Sequence, residues 1–387
     1  AVGHAVRAGY LYSGVADIAN QFEDEPLLNT CIQLWEDIYY RKMYITGGVG
    51  ARYAGEAFGD PYELDNLKAY AETCAALAFA FFSQRMLQIT GESKYADAVE
   101  RLMYNGSISG VSLDGKKFFY INPLAYKKGY RPSNLRCQNQ RPDWFGCSCC
   151  PPNIARFLAS IGTYFYSESN GGKPCINIHQ YSESTAMLFI NKIRVGVTQQ
   201  TNYPWNGLVN IQINPNTSTE FGINLRIPAW CNDFSVNVNG EVIGVPIESG
   251  YLSINRMWKP GDLVTLEMEM PIERIYSNPQ VKGNIGRVAL QRGPIVYCLE
   301  SVDNPVDDLD SIILPKTAPL VSKFEPDVLD GVMTIQADAI QLKNADWGDK
   351  LYGSRAPSQA PIRIKAIPYF AWANREPGEM LVWILEQ

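Results

Sequence analysis

The residues best suited to chemistry lie in the stretch 141–153, RPDWFGCSCCPPN, which places Cys147, Cys149 and Cys150 within four positions and follows them with Pro151 and Pro152. Proline is tolerated in the first turn of a helix, where its missing amide hydrogen has no partner to lose. A helical pattern runs on from Ile154 towards Tyr166, so Cys149 and Cys150 are expected at a helix N-terminus. The unsatisfied amides and the positive end of the helix dipole there favour a thiolate over a thiol. Two adjacent thiolates repel each other, and a bound cation would hold them together. Zinc is the first candidate. Further donors stand in AYAETCAAL, where Glu72 and Cys74 bracket Thr73. One carboxylate and three thiolates make an acceptable set for zinc. Within a regular helix, however, two residues separated by two positions point about 200° apart. If Glu72 and Cys74 bind one ion, Glu72 must lie at or before the start of its helix. The competing reading is that these cysteines are small buried hydrophobes.

A second candidate is Glu56, in the glycine-rich, helix-breaking run TGGVGARYAGEAFGDPYEL. A carboxyl group on such a loop beside apolar rings can have its pKa raised and serve as a general acid. Against this stands a solvated loop glutamate, and Glu63 and Asp65 are rivals for the role. His4, in GHAVRAGYL, is one of only two histidines; a lone histidine on a helix is more often structural than catalytic. His179 falls in a strand-like segment and is assigned no role.

These residues must be positioned by mostly helical structure over 1–167. Leu28, Ile32, Trp35, Ile38 and Tyr39 recur at helical spacing within 25–44, with Gly47 and Gly48 as a stop. Residues 65–87 carry a second long pattern and 94–104 a shorter one. Asp114-Gly115, flanked by Val111, Leu113, Phe118 and Tyr120, signals a hairpin. A loop from Tyr126 to the cysteine cluster is long enough to be functional. The segment 167–174 reads as a boundary, after which short alternating runs such as Ile223, Leu225 and Ile227, or Val264, Leu266 and Met268, argue for β-sandwiches. The late run IPYFAWANREPGEMLVW is expected to form strand. About five helices in the first region are few for burying such apolar faces, so an N-terminal portion is expected to be missing.

The totals describe an ordinary globular protein: 387 residues, 46% hydrophobic, 19% charged and a net charge of −6. Nothing is basic enough to follow a phosphate backbone, which excludes nucleic acid as the expected partner. The most apolar run, 75–82, is too short to span a bilayer, so no membrane partner is expected. Nine cysteines spread through a long chain are not a disulfide scaffold. They point to a reducing, cytoplasmic setting, with a periplasmic or secreted one as the alternative if a signal peptide has been removed. A thiol redox protein is the disfavoured reading of these cysteines.

Taken together, GHAVRAGYL, TGGVGARYAGEAFG, AYAETCAALA, MYNGSISGVSLDGKKFFYINPL, CSCCPPNIARFLASIG and RVALQRGPIVYCLE resemble the zinc-dependent β-L-arabinofuranosidases of glycoside hydrolase families 127 and 146. The resemblance covers nearly the whole chain with the motifs in order. It implies zinc held by Glu72, Cys74, Cys149 and Cys150, with Cys149 as the nucleophile in place of the usual carboxylate and Glu56 as general acid and then base. His4 and Tyr120 match positions that contact the sugar. It also implies a catalytic (α/α)6 barrel, of which 1–167 would be the C-terminal portion, followed by jelly-roll-like β-sandwiches. The first sandwich would span 168–271 and be completed by 370–387; the second would span 272–369. The implied substrate is an arabinofuranosyl oligosaccharide or glycopeptide. A separate N-terminal half of the barrel and a homodimer are the protein partners to consider. A non-catalytic, zinc-stabilised fragment or carbohydrate-binding protein of the same fold is the alternative, since four protein ligands are the usual structural form of a zinc site.

Overall fold

Helix α3 (Thr73–Thr90) organises the first part of the chain. Fourteen of its eighteen residues are buried, on every face, as expected of a helix that is apolar all round. A computed structural model, which describes residues 1–130, 139–343, 347–348 and 350–387, surrounds it with α1 (Ala5–Gln21), α2 (Glu25–Arg41), α4 (Ser93–Arg101) and α5 (Cys150–Ser160). Trp35 of α2 stacks near Phe79 and donates its indole N–H to Ser83 Oγ at 2.9 Å. Ile154 and Phe157 of α5 close the same core.

α1 crosses α3 at Gly9, where an added Cβ would come within 2.8 Å of Ala78 Cβ and 3.0 Å of the Ala78 carbonyl carbon. Only a residue without a side chain permits that approach. Gly9→Val is therefore expected to cost about 1–3 kcal/mol in a urea titration, the usual penalty of overpacking. Gly14, on the same helix, has nothing within 4 Å of its Cβ position. Gly14→Ala should raise stability by up to ~1 kcal/mol, the helix-propensity gain alone.

Several helix boundaries differ from the sequence expectation, each for a local reason. α2 ends at Arg41, because Tyr44 N–H turns back to Gly48 O and Gly47 takes φ +86. Residues 65–72 are not helical. Asp65 Oδ1 accepts from the amides of Leu67 and Lys68 at 3.0 and 2.7 Å, and Ala71 sits at φ +36 with its amide on Gly50 O. Beyond Arg101 the chain widens into a π-helical turn, Leu102–Ser107. The expected hairpin at Asp114-Gly115 is present as a single bridge, Val111 to Phe118.

Beyond α5 the chain is almost entirely strand, giving a mixed architecture of few helices and many strands. Two sheets share one core. Tyr166–Ser169, Cys175–Ile178, Thr219–Arg226, Ile247–Glu248 and Tyr251–Trp258 form the first. Ser184–Ile190, Ile193–Thr201, Leu208–Pro215, Phe234–Val238, Glu241–Val242 and Asp262–Met268 form the second. Ile176, Ile223 and Leu225 from one meet Val197, Ile211 and Leu266 from the other, the alternation read from the sequence. The anticipated boundary at 167–174 holds the turn of a hairpin, since Tyr166–Ser169 already pairs with Cys175–Ile178.

The remaining strands form one ladder, not two facing sheets. Ile295–Glu300, Ser358–Pro368, Val332–Lys343, Ile312–Leu314, Ile384–Glu386 and Arg287–Arg292 pair in that order, and the last returns to the first. The C-terminal residues therefore do not complete the first sandwich. Met380–Leu381 pairs with Ile295–Glu300, and Ile384–Glu386 with Arg287–Arg292 and Ile312–Leu314. Leu381 and Ile384 belong to the core inside this ladder, which explains where the final strands go. Between them and Pro368, the aromatic run forms a 3₁₀ turn at Tyr369–Ala371 instead of continuous strand. One short strand of the helical part, Ala125–Tyr126, also joins this ladder at Met380–Leu381.

Candidate metal centre and active site

Two helix N-termini deliver the four donors anticipated from the sequence. Cys150 opens α5, with Cys149 as its N-cap and proline in the first turn. Cys74 is the second residue of α3, and Glu72 is that helix's N-cap, with an extended backbone at φ −60 and ψ 138. The extended Glu72 meets the geometric demand, because outside the helical path it no longer points about 200° from Cys74. Its backbone is fixed by a bridge to Ile121, and the next amide, Thr73 N–H, donates to Tyr120 O at 2.9 Å.

The ligand atoms of Glu72, Cys74, Cys149 and Cys150 all lie within 4.8 Å of one another. Cys74 Sγ is 3.0 Å from Cys149 Sγ and 3.5 Å from Cys150 Sγ; Glu72 Oε1 is 3.3 and 3.8 Å from the same two sulfurs. All three cysteines are free thiols. Glu72 is 1% exposed and its Oε2 has no hydrogen-bond partner. A buried carboxylate oxygen without a donor needs another explanation, and the same carboxyl group turns its Oε1 to two of the cluster's sulfurs. The donor set fits a metal ion.

Electrostatics inside the cluster point the same way. Burial, then the charge on Cys149, pushes the Glu72 carboxyl up to about 9. Hydrogen bonds from Cys150 and Cys74 hold the Cys149 thiol far below the ordinary thiol range, with help from Glu72 and Tyr120. Cys74 is raised chiefly by its hydrogen bond to Cys149, and Cys150 chiefly by burial. Thiolate and carboxylate donors are deprotonated when they hold a cation, so metal binding here would release protons.

Glu56 stands on a 3₁₀ turn, Ala54–Glu56, with Gly55 at φ +71 and Glu56 itself at φ +50. Its carboxylate is bound on both oxygens: Tyr70 Oη donates to Oε1 at 2.9 Å, and His4 Nε2 lies 3.0 Å from Oε2. His4 is the N-cap of α1 and bridges backbone to backbone with Ala57, so the loop is tied to that helix. The charge of Glu56 contributes to the raised pKa of Glu72, which places the two carboxylates in one electrostatic unit. Tyr120, 5% exposed, shares the cluster with Cys74 and Cys150 and lowers the pKa of both Glu72 and Cys149.

Comparison with known proteins bears on this arrangement as a whole. Three family models match in succession: the catalytic domain of glycoside hydrolase family 127 β-L-arabinofuranosidases over residues 1–163, their middle domain over 175–270, and the family 127 C-terminal domain over 272–385. The chain belongs to glycoside hydrolase family 127. A curated non-reducing end β-L-arabinofuranosidase of Bifidobacterium longum subsp. longum is 38% identical over 98% of the family 127 chain and 59% of its own length. Among solved structures, a family 127 β-L-arabinofuranosidase from Geobacillus stearothermophilus T6 is 46% identical and superposes with a TM-score of 0.96, over 100% of this chain and 61% of that one. A second family 127 β-arabinofuranosidase is 39% identical with a TM-score of 0.90, covering 100% and 60%. The chain thus spans about three-fifths of the length of these relatives.

Other residues of the family 127 chain fall outside the cluster. Glu63 is bound by Arg52 Nε at 2.8 Å and by the Asp60 amide, and Asp65 caps a turn. Both serve loop structure. His179 is buried in the strand region between Ser167 Oγ at 2.8 Å and Tyr251 Oη at 2.6 Å, and burial pushes its pKa down to about 3. Cys147 packs against the cluster but is not among its four ligand residues. The expected loop from Tyr126 falls partly on 131–138, outside the described residues. Sequence reasoning missed Tyr70, whose only hint was an aromatic two positions before Glu72.

Proposed function

We propose that this chain carries the catalytic centre of a retaining glycoside hydrolase that removes terminal β-L-arabinofuranosyl residues from an oligosaccharide or glycopeptide. Cys149 is the nucleophile and Glu56 the acid and base. Zinc is held by Glu72, Cys74, Cys149 and Cys150, while His4 and Tyr120 contact the sugar. The observation that carries this reading is the gathering of three sulfurs and a buried carboxylate beside a second carboxylate held by Tyr70 and His4. The relatives, one a non-reducing end β-L-arabinofuranosidase and one a β-L-arabinofuranosidase, support the choice of sugar and its terminal position.

The chemistry needs a nucleophile at the anomeric carbon and a proton donor at the leaving oxygen. Glu56 gives its proton to that oxygen as the C1–O bond breaks, and the Cys149 sulfur forms a bond to C1. The deprotonated Glu56 then takes a proton from water; the water oxygen bonds to C1, the S–C1 bond breaks, and the sugar leaves with its configuration retained. Bound zinc keeps the sulfurs ionised at neutral pH. The protein fixes where the sulfur stands, through the N-terminus of α5 and the proline-locked turn. Such pre-organisation matters as much as ionisation.

The finer architecture follows the same reading. Helices α1 to α5 belong to an (α/α)6 barrel, and Leu11 and Ile18 of α1, with Phe22 just past its end, are exposed at 62%, 53% and 75%, apolar surface of the kind that helices of such a barrel cover. Domain divisions near 167 and 271 belong to the same reading, which family models over 1–163, 175–270 and 272–385 support. No helix among the described residues is long and apolar enough to cross a membrane, and the free thiols fit a reducing, cytoplasmic setting.

A second reading, a structural zinc site without turnover, draws on the four protein ligands themselves. One experiment separates the two. Incubation with a mechanism-based β-L-arabinofuranosyl reagent should add one sugar mass to the peptide containing Cys149, in protein carrying about one zinc per chain. Full zinc with no adduct on Cys149 would favour the structural reading.

A further inference from the structure

The acid/base loop and the metal centre come from different segments, and one side chain spans them. Tyr70 lies two residues before Glu72, is 2% exposed, and packs its ring with Cys74, Tyr120, Ile121 and Cys150 in a single apolar cluster. It stands edge-on to Tyr120, with ring centroids 6.1 Å apart. Its hydroxyl reaches out of that cluster to donate to Glu56 Oε1 at 2.9 Å. The backbone runs alongside: Ala71 N–H donates to Gly50 O at 2.8 Å, and Tyr70 N–H lies 3.4 Å from Ala51 O. Glu56 occupies the left-handed region, at φ +50. That conformation is unfavourable for a non-glycine residue and persists only where the surroundings hold it.

We propose that Tyr70 is a positioning residue for Glu56, its hydroxyl setting where the acid/base carboxylate stands relative to the metal centre and which of its oxygens carries the transferable proton. This deepens the reading of Glu56 as acid and base and rests on it. A hydroxyl donating to Oε1 makes that oxygen an acceptor. The proton given to the leaving group then resides on Oε2, the oxygen beside His4. The rigid ring fixes the distance, because it is packed in the cluster that holds Cys74 and Cys150.

The test compares leaving groups in the full-length protein. A methyl β-L-arabinofuranoside needs its leaving oxygen protonated, whereas a dinitrophenyl glycoside hardly does. Tyr70→Phe, which keeps the ring, is expected to lower kcat/KM for the methyl glycoside on the order of 10- to 100-fold, the cost of misplacing a catalytic group by about 1 Å. The dinitrophenyl substrate should lose less than about 3-fold, with zinc content unchanged, because its chemistry does not wait on the proton. In a Glu56→Ala background, Tyr70→Phe should cause no further loss, since it acts through that carboxylate. Equal losses on both substrates, an additional loss in the Glu56→Ala background, loss of zinc or of the fold, or no loss at all would each overturn the proposal. Undiminished turnover of the methyl glycoside by Glu56→Ala alone would instead overturn the assignment of Glu56, a result read from a different variant.

Discussion

Cys149→Ser in the full-length protein lowers kcat/KM for an aryl β-L-arabinofuranoside by on the order of 10⁴-fold or more, the scale seen when a nucleophile is removed from an assembled catalytic unit. The three sulfurs of the cluster are not equivalent, which is why the prediction singles out one. Cys74 and Cys150 are buried, at 2% and 1% exposure, while Cys149 is only partly covered. A sugar carbon can approach the covered pair only by displacing the helix starts around them. Hydrogen bonding with Cys150 and Cys74 also holds the Cys149 thiol below the ordinary thiol range. Serine in its place keeps the size of the side chain but gives a poor nucleophile. Cys74→Ser and Cys150→Ser should act differently, losing metal before they lose chemistry. Kinetics and metal analysis on the same preparations check this. Near-normal turnover by Cys149→Ser, or an equal loss from Cys150→Ser at full zinc occupancy, would move the nucleophile elsewhere.

The parts of this centre legible in the sequence were those written in local backbone chemistry. Pro151 and Pro152 announce a helix start, and the adjacent cysteines must then share its N-terminus. The spacing of Glu72 and Cys74 forces a statement about backbone as well as ligands, and the extended N-cap at Glu72 satisfies it. The strand alternation at Ile223 and Leu225, or Val264 and Leu266, is equally local, set by a period of two. What escaped depends on partners distant in sequence. Asp65 keeps the first residues of a helical pattern out of the helix by binding its own following amides, an alternative to helix that periodicity alone does not reveal. The final strands carry apolar residues that suit more than one sheet edge. Only the filling of the core by Leu381 and Ile384 decides between them. Tyr70 looks like any core aromatic until Glu56 is brought to its hydroxyl.

Arg226→Met destabilises the protein by about 3–5 kcal/mol, the usual consequence of removing one partner from a buried ion pair. Arg226 is fully buried, on the strand Thr219–Arg226. Its guanidinium bonds Asp97 Oδ1 at 2.5 Å and Glu100 Oε1 at 2.6 Å, both on α4, while its Nε donates to His179 O. Tyr203 Oη and Trp230 Nε1 complete the shell around Glu100. Methionine fills most of the volume but leaves two carboxylates facing an apolar core, and burial already raises the pKa of Asp97. The loss therefore measures stranded charge more than lost packing. Adding Glu100→Gln and Asp97→Asn to Arg226→Met should recover part of it, because neutral amides cost less to bury unpaired than carboxylates do. The same network joins α4 to the strand region, and α4 leads into the turn where Asn105 binds Pro294 O and Val296 N–H. One guanidinium thus helps lock the helical part, which carries the Glu72, Cys74, Cys149 and Cys150 cluster, onto the first sandwich. The comparison is made by urea unfolding of the single and triple variants. A single variant within about 1 kcal/mol of the parent would show that this network adds little to holding those parts together.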